Sequence, residues 1–519
     1  MLAFVPPSIG MAMVYAGWVQ RATDEEGTAS GAVGWNCLGA ALAGPVWAGI
    51  VLPATGLKGA LLGVAGGYFA LVPRRCWKGR FWAWPAAFAG VVGVVAAGRS
   101  FLELPPGAEV VRRWDGRLAS VAVVRTADRE RVLRVNNHFQ QGGTATAVAA
   151  RRQAHIPLLL HPGPRRALFL GVGTGITLGA AVDHPGLIAE GVELLPEVAG
   201  ALAYFAPENR SVGGRSGPVV RVADARRFVR ATDGTYDVIV ADLFHPAEDG
   251  AGMLYTREHF GAIRRRLAEG GLFCQWLPLH QLDGDGFRDV AATFAEVFPE
   301  TSLWLMRFNA DVPVVGLIGG EGRLVWDGEG LARRMAAEPL ASALKPLALT
   351  DPVRLWGCRL ASRESLRRSS GGGAVATDDL PRVMFGAARS VYREGLPPHR
   401  TLETLFRRAE PDFRQSVGVD AAGSPWVARL EAFRIARDRH LTGLGKEIEG
   451  RMPEALEDYL ASAEASADYT AGYGQAVLVA SAYARENPGL ARSILERLVR
   501  GRPELGLAKE MLARLSKAP

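Results

Sequence analysis

The stretch Ala167-Leu-Phe-Leu-Gly-Val-Gly-Thr-Gly175 decides the fold of this chain. A short apolar run stops in three alternating glycines and leads directly into helix-forming sequence. This order predicts a buried strand, a tight turn and a helix N-terminus, where the backbone can approach a bound molecule closely. We therefore expect Gly171, Gly173 and Gly175 to line a binding site.

Apolar strands alternate with amphipathic helical segments after this loop. That alternation predicts an α/β fold with a doubly wound, mostly parallel sheet. The predicted strands are 167–171, 187–193, 219–224, 236–242 and 271–276, with further strands near 302–306 and 312–318; the predicted helices between them include 256–268 and 286–297.

The glycine spacing indicates which ligand the loop binds. A dinucleotide site prefers G-x-G-x-x-G, but Ile176 stands at the last of these positions. The G-x-G-x-G pattern fits a nucleoside of the S-adenosylmethionine type better, because no pyrophosphate has to be held. Glu193 ends the second strand about 20 residues further on, where a carboxylate takes a ribose hydroxyl pair.

The third strand ends in Arg221-Val-Ala-Asp-Ala225, so Asp224 is placed to accept a hydrogen bond from an adenine amino group, with Ala225 beside it. Two alternatives remain open for these carboxylates. Glu193 is also compatible with a plain surface position, and Asp224 with the N-cap of a helix over 225–230.

The fourth strand supplies the main catalytic candidate. It ends in Tyr236-Asp-Val-Ile-Val-Ala-Asp-Leu-Phe-His-Pro246, which puts Asp242 at the edge where open α/β sheets bind ligands. Tyr255 follows and is the second candidate, since its aromatic face, or that of Phe244, suits a position beside a cationic centre.

Composition excludes several classes of function. The chain has 519 residues and a formal charge of +7, but the surplus arginines are spread along it, so we predict no nucleic-acid partner. The four cysteines are far apart and lack metal spacing, which predicts free thiols in a reducing compartment and no metal site.

The first 100 residues differ from the rest. Uncharged apolar runs cover 1–20, 27–57, 59–73 and 81–98 and predict transmembrane helices, although the third run is short. A signal peptide is the alternative for the first run, but it lacks a basic start and further apolar runs follow. Arg74, Arg75, Lys78 and Arg80 mark a cytoplasmic loop, which conflicts with a crossing at 81–98. We expect a multi-pass protein of the cell membrane with its soluble part in the cytoplasm.

Composition shifts predict four regions: transmembrane helices over 1–100, a small β domain with a hairpin over 108–150, the nucleoside-binding domain over 151–389, and a helical region over 390–519. In the last region, helical segments at 454–465 and 490–500 resemble degenerate tetratricopeptide repeats. An ordinary helical bundle is the alternative. We expect these helices to dock a protein partner.

The motifs together resemble the spermidine synthase (polyamine aminopropyltransferase) family. In that family a Gly-rich loop, V-E-[IL], an aspartate-bearing third strand and Y-D-V-I-x-x-D-x-x-x-P occur in this order. The resemblance covers about 108–389 and includes Asn136-Asn137-His-Phe-Gln140, similar to the family's L-D-G-x-x-Q. The chain looks most like the membrane-fused bacterial branch, which also carries a Thr-Asp-Asp-x-Pro element like Thr377 to Pro381. Upstream, Trp35-Asn36-Cys-Leu-Gly-Ala40 and Leu52-Pro-Ala-Thr-Gly-Leu57 look like the end of that branch's multi-span membrane part, so we expect a misassigned start or a truncated gene. For the sheet, the resemblance implies the Rossmann fold of the S-adenosylmethionine-dependent methyltransferases.

The resemblance implies that Glu193 takes the ribose, Asp224 the adenine and Asp242 the attacking amine, with Gln140 at the cosubstrate. It implies decarboxylated S-adenosylmethionine, or S-adenosylmethionine, as cosubstrate, with no permanently bound cofactor. The partners it implies are a small-molecule amine acceptor and, through the membrane part, membrane lipid.

Three positions depart from the family. Thr174 replaces an aspartate in the glycine loop, His245 replaces a second aspartate, and Ala149-Ala150-Arg151 replaces a tyrosine-histidine-glutamate element. All three changes remove groups that hold a dicationic polyamine, so we expect an acceptor less cationic than putrescine. The overall prediction is a membrane-anchored aminopropyltransferase; the alternatives are a methyltransferase of the same fold and a nucleoside-binding module without catalysis.

Overall fold

Two units make up the chain, Met1–Gln141 and Gly142–Pro519, and each is described by itself. In this computed structural model the described residues are 5–26, 29–70, 102, 104–136, 139–215, 217–246, 248, 250–322, 324–369, 372–390, 397–407 and 425–515.

The first unit begins with apolar helices. They are α1 (Val5–Glu26), α2 (Ser30–Val46) and α3 (Leu52–Ala70), and a wide helical turn, Trp47–Val51, joins the last two. Within the described residues, Ser30–Gly56 is the one helical stretch that by length and composition meets the requirements for crossing a membrane, with 27 residues and a mean hydropathy of 1.7. The predicted span at 81–98 lies outside the described residues, and the multi-pass arrangement stays a prediction.

A small antiparallel sheet follows, with strands β1 (Glu109–Asp115), β2 (Ser120–Arg125), β3 (Arg131–Val135) and β4 (Phe139–Gly143) in that order. The predicted hairpin is β2–β3, and Arg125 pairs with Arg131 where it turns. The sheet ends earlier than the predicted 108–150, because residues from Ala147 onward are helical.

An eight-stranded sheet forms the centre of the second unit. Its strands are β5 (Arg166–Leu170), β6 (Ile188–Glu193), β7 (Val219–Val222), β8 (Tyr236–Ala241), β9 (Leu267–Pro278), β10 (Glu300–Leu305), β11 (Val314–Gly320) and β12 (Arg359–Ala361). The spatial order is β12-β10-β11-β9-β8-β5-β6-β7. Strands β5 to β9 pair in parallel, and β11 joins β9 and β10 in antiparallel fashion. This confirms the doubly wound, mostly parallel α/β fold.

The central strands are buried on both faces, as continuous apolar sequence predicts for parallel strands. Along β5, Ala167 and Phe169 pack into one cluster of buried residues, while Leu168 and Leu170 pack into the other. The chain runs from β5 to β6 and β7 on one side and returns to β8 on the other. Ligands bind at such a reversal, beyond the carboxyl ends of the strands.

Helices cover both faces of this sheet and then continue alone to the end of the described chain. They are α4 (Ala147–Leu160), α5 (Ile176–Gly179), α6 (Pro196–Ala201), α7 (Ala225–Ala231), α8 (Arg257–Arg264), α9 (Gly284–Val297), α10 (Gly328–Ala336), α11 (Leu340–Leu344), α12 (Pro352–Trp356), α13 (Arg363–Ser369), α14 (Arg382–Ser390), α15 (Pro398–Arg407), α16 (Pro425–Ile448), α17 (Met452–Ala465), α18 (Ala471–Tyr483), α19 (Pro488–Gly501) and α20 (Gly506–Leu515).

The helical tail is part of the core at its start. Phe433 of α16 lies with its ring centroid 6.0 Å from that of Phe308 and 5.0 Å from that of Tyr469. Arg437, which is 1% exposed, donates to the carbonyl oxygens of Gly357 and Arg359 at 2.9 and 2.6 Å. A buried guanidinium is tolerated because its donors are satisfied in this way. The tail therefore does not separate cleanly from the sheet at residue 390.

Two predicted boundaries need correction, and one strand was missed. The third strand ends at Val222 and not at Asp224, because Asp224 starts α7 as its N-cap. The helix predicted over 256–268 ends at Arg264, since β9 already begins at Leu267. Strand β12 was not predicted, because three residues are too few for a periodic pattern to register.

Candidate active site

The glycine loop leaves β5 in a conformation that side chains rarely adopt. Gly171, Gly173 and Gly175 have φ values of 85°, 53° and 77°. A Cβ on Gly171 would lie 3.2 Å from Phe244 Cε1 and 3.3 Å from Asp242 Cβ. Backbone conformation therefore favours glycine at all three positions, and Gly171 is required in addition by the close approach of Asp242 and Phe244.

Backbone pairing places the three strand ends at one level. The Gly171 amide donates to Val192 O at 2.9 Å, and the Asp242 amide donates to Leu170 O at 2.9 Å. The residues that follow β5, β6 and β8 are thus side by side at the carboxyl edge of the sheet. The predicted convergence of Glu193 and Asp242 on the glycine loop is a consequence of this register.

Glu193 is 6% exposed and faces the glycine loop. Its Oε2 accepts from the amides of Val172 and Gly173, both at 3.1 Å, and its Oε1 accepts from Leu195 N at 3.0 Å. This excludes the alternative of a plain surface carboxylate. Oε2 already accepts two bonds, whereas Oε1 accepts only one and keeps a lone pair for a ribose hydroxyl.

Asp224 has the alternative role that the sequence left open. It is the N-cap of α7, and its Oδ1 accepts from Arg227 N at 2.8 Å. The residue is exposed, Ala225 beside it is partly buried, and the Ala223 amide pairs with Glu193 O at 2.9 Å, which keeps the start of α7 next to β6. Capping uses one oxygen and leaves Oδ2 for an adenine amino group.

Asp242 is held by a residue that the sequence reasoning missed. Its Oδ1 accepts from Gln153 Nε2 at 3.0 Å and from Leu243 N at 2.8 Å. Gln153 lies on α4 and is 5% exposed, and its backbone carbonyl oxygen accepts a hydrogen bond from Trp276 Nε1 at 3.0 Å. A signal existed in the sequence: Gln153 shares a helix face with Ile156 and Pro157, and a polar residue on a buried face needs a specific partner.

The pKa of Asp242 is raised to about 6. Burial is the main cause, and the negative charge of Glu193 adds to it, while the hydrogen bonds from Leu243 and Gln153 oppose the shift. A carboxylate with this pKa is ionised at neutral pH and still basic enough to take part in proton transfer.

Glu248 is a second residue that sequence reasoning missed. It is partly buried in the loop after β8, where its amide donates to His245 O at 3.0 Å. Burial and the charge of Glu193 both raise the pKa of Glu248. Glu193 therefore raises the pKa of two other carboxylates, and this edge of the sheet holds three acidic side chains, Glu193, Asp242 and Glu248. An isolated glutamate in a loop gives no sequence signal for this.

Tyr255 does not border an open crevice. It is 0% exposed, its hydroxyl donates to Phe244 O at 2.9 Å, and burial raises its pKa. This corrects the expectation of a catalytic aromatic face, because Tyr255 instead supports the loop that carries Phe244. Phe244 is partly buried and touches the glycine loop, so it is the aromatic side chain closer to the site.

The remaining predicted positions differ in how far they are exposed to solvent. Gln140 is exposed on β4 and belongs to the first unit, and residues 137 and 138 of its turn lie outside the described residues. Thr174 is 6% exposed, and its carbonyl oxygen accepts from Asn209 Nδ2 at 3.0 Å. Ala150 of α4 and His245 are partly buried.

Comparison with known proteins identifies a similar region within the second unit. The family model for the spermine/spermidine synthase domain matches residues 149–308. The region is similar to the polyamine aminopropyltransferases. The enzyme of that name from Moorella thermoacetica is 28% identical over 197 residues, which cover 36% of this chain and 65% of the relative. The spermidine synthase of Dictyostelium discoideum is 33% identical over 138 residues, 25% of this chain and 48% of the relative.

A solved structure, the spermidine synthase from Thermotoga maritima, is 21% identical with a TM-score of 0.38, covering 44% of this chain and 79% of that chain. The chain spans between about half and two thirds of the length of the curated relatives named above. The family model and the curated relatives show similarity to the spermine/spermidine synthases over part of the chain, and they do not single out the membrane-fused branch.

Proposed function

We propose that this chain transfers the aminopropyl group of decarboxylated S-adenosylmethionine to an amine acceptor. The observation that carries the proposal is the meeting of two carboxylates at the glycine loop, where Glu193 binds the amides of Val172 and Gly173 and Asp242 packs against Gly171. A crevice that holds such carboxylates attracts a sulfonium and a cationic amine. It disfavours the carboxylate that full S-adenosylmethionine carries, which argues for the decarboxylated form and against methyl transfer.

In this reaction the acceptor nitrogen attacks the carbon next to the sulfonium sulfur. A nitrogen–carbon bond forms, the carbon–sulfur bond breaks with its electron pair going to sulfur, methylthioadenosine leaves, and the nitrogen loses one proton. An aliphatic amine resembles a lysine side chain with a pKa of about 10, so it needs a group that orients it and accepts that proton. Asp242 supplies this group, and Gln153 fixes its orientation.

The nucleoside part of the proposal rests on the loop and its neighbours. Glu193 receives the ribose hydroxyls, and the free oxygen of Asp224 receives the adenine amino group. Gly171 and Gly173 adopt a positive φ, which glycine tolerates, and because they carry no side chain the backbone can approach the nucleoside directly. Thr174, His245 and Ala150 replace groups that hold a dicationic acceptor in the family, so the proposed acceptor carries fewer charges than putrescine.

The test is product analysis by mass spectrometry. The purified chain is incubated with decarboxylated S-adenosylmethionine and a series of mono-, di- and triamines, and we expect methylthioadenosine together with one aminopropylated amine. Asp242→Asn should lower turnover by about 10²–10⁴-fold and leave methylthioadenosine affinity within about threefold. The matched control is Asp233→Asn, at an exposed position before β8, and it should behave as wild type.

Other outcomes would contradict the proposal. Production of S-adenosylhomocysteine from S-adenosylmethionine would establish the methyltransferase alternative. Tight methylthioadenosine binding without turnover of any amine would establish the binding module. The relatives named above favour neither alternative.

Attachment to a membrane is a further part of the proposal. It is supported by the helical stretch Ser30–Gly56, whose most apolar 18 residues include no buried residue. The side chains of Trp35, Leu42 and Ile50 in this stretch are exposed. Retention of the chain in membranes washed at alkaline pH would support it, and release would contradict it. A cytoplasmic catalytic part and a protein partner at the C-terminal helices stay predictions.

A further inference from the structure

The Thr377-Asp-Asp-Leu-Pro381 element has no part in the reaction described above. It forms a tight turn, in which Leu380 N donates to Thr377 O at 3.2 Å, and it leads directly into α14. Its two aspartates differ in surroundings, because Asp378 is partly buried and Asp379 is exposed. The element therefore directs one carboxylate inward.

Asp378 binds side chains from two different parts of the site. Its Oδ1 accepts from Thr256 Oγ1 at 2.7 Å, and its Oδ2 accepts from Arg230 Nη2 at 3.1 Å and from Arg226 Nη2. Its amide donates to Glu258 Oε2 at 2.9 Å. Burial opposes ionisation, but the hydrogen bonds and the charge of Arg226 outweigh it and lower the pKa of Asp378.

Arg226 connects the same two parts directly. It lies on α7, two residues after Asp224, and its Nη1 donates to Met253 O at 2.6 Å and to Thr256 Oγ1 at 3.2 Å. Thr256 is fully buried and begins α8 as its N-cap. The contacts of Arg226 and Asp378 thus join the helix that starts at the candidate adenine residue to the end of the loop that starts at Asp242.

The loop that precedes Thr256 also packs against α14, the helix that follows the Thr377–Pro381 element. A Cβ on Gly252 would lie 2.5 Å from Met384 Cα on α14, so the loop backbone touches that helix. Within the loop, Tyr255 donates to Phe244 O, and Phe244 contacts Gly171. A displacement at Thr256 is therefore transmitted through Tyr255 to the aromatic ring beside the glycine loop.

We propose that Asp378 is a positioning residue, which fixes residues 250–256, the part of the loop next to Thr256, against α7 and thereby shapes the acceptor side of the crevice. It touches neither the nucleoside residues nor Asp242. The functional part of this inference rests on the proposed aminopropyl transfer, whereas the structural part does not.

Hydrogen exchange measured by mass spectrometry tests the structural part without any turnover. In Asp378→Ala and in the milder Asp378→Asn, amides of 250–256 should exchange at least tenfold faster than in wild type, while amides of 167–172 keep their protection. The matched control is Asp379→Asn, which should leave both segments unchanged. Equal protection of 250–256 in wild type and both Asp378 variants would overturn the proposal, whatever the activity of the chain.

Kinetics test the functional part. We expect kcat/KM for the acceptor to fall by at least tenfold in Asp378→Asn, with methylthioadenosine affinity within threefold of wild type. Arg226→Gln combined with Asp378→Asn should be little worse than either change alone, because the two residues act as one unit. A parallel loss of nucleoside affinity, or an unchanged kcat/KM, would overturn this role. Absence of turnover in the wild type would instead refute the proposed function and leave the exchange result standing.

Discussion

At the scale of single residues, the chemistry depends on how Asp242 is surrounded. Its Oδ1 accepts hydrogen bonds from the Gln153 side-chain amide and from the backbone amide of Leu243. Burial raises the pKa of Asp242 to about 6, although these two hydrogen bonds oppose the shift. The position of Asp242 was predictable from the strand pattern. For Gln153 the sequence indicated a polar residue that needs a partner, but not that the partner is Asp242, because α4 approaches the strand only through tertiary packing.

Gln153→Leu should move the acid limb of the pH profile upward. The Gln153 hydrogen bond lowers the pKa of Asp242, so its loss raises that pKa from about 6, by about one unit for a bond to a charged group. Asp242 is then protonated over a wider range, and kcat/KM for the acceptor begins to fall at higher pH. The control is Gln475→Leu on α18. An acid limb that stays in place or moves to lower pH would contradict the assignment of Asp242 as the group that titrates.

At the scale of elements, the site is a property of strand register. Parallel pairing of β5 with β6 and β8 sets Gly171 beside Asp242 and Glu193 at one sheet edge. Apolar sequence predicted these strands well, since both faces are buried. The apolar pattern misplaced the end of β7, which lies two residues before the predicted end at Asp224. Asp224 instead accepts a hydrogen bond from a backbone amide of α7 and caps that helix.

Gly171→Ala should weaken methylthioadenosine binding by at least tenfold. A methyl group there meets a positive φ, which costs about 1–2 kcal/mol, and also crowds Asp242 and Phe244. Gly186→Ala is the matched control, because Gly186 has a φ of 76° but open space around its Cβ position. Calorimetric titration should show near-wild-type affinity for Gly186→Ala. Equal affinities for the two variants would show that crowding at the glycine loop does not matter.

At the scale of the whole molecule, composition predicted a helical C-terminal region, and the described residues from Pro398 onward are indeed helical. It did not predict that α16 would complete the core, because the contacts of Phe433 and Arg437 join segments far apart in sequence. A periodic pattern shows that a helix has an apolar face but not which surface that face covers. The tail therefore contributes to the stability of the sheet, and any partner would have to bind its remaining exposed surface.

A crystal structure of the chain with methylthioadenosine tests the central claim most directly, since that claim is the convergence of Glu193, Asp224 and the glycine loop on one nucleoside. We expect the ribose hydroxyls within hydrogen-bonding distance of the Glu193 carboxylate, the adenine amino group at Asp224, and the sulfur turned toward Asp242. Methylthioadenosine bound elsewhere, or no density at this sheet edge at saturating concentration, would contradict the account.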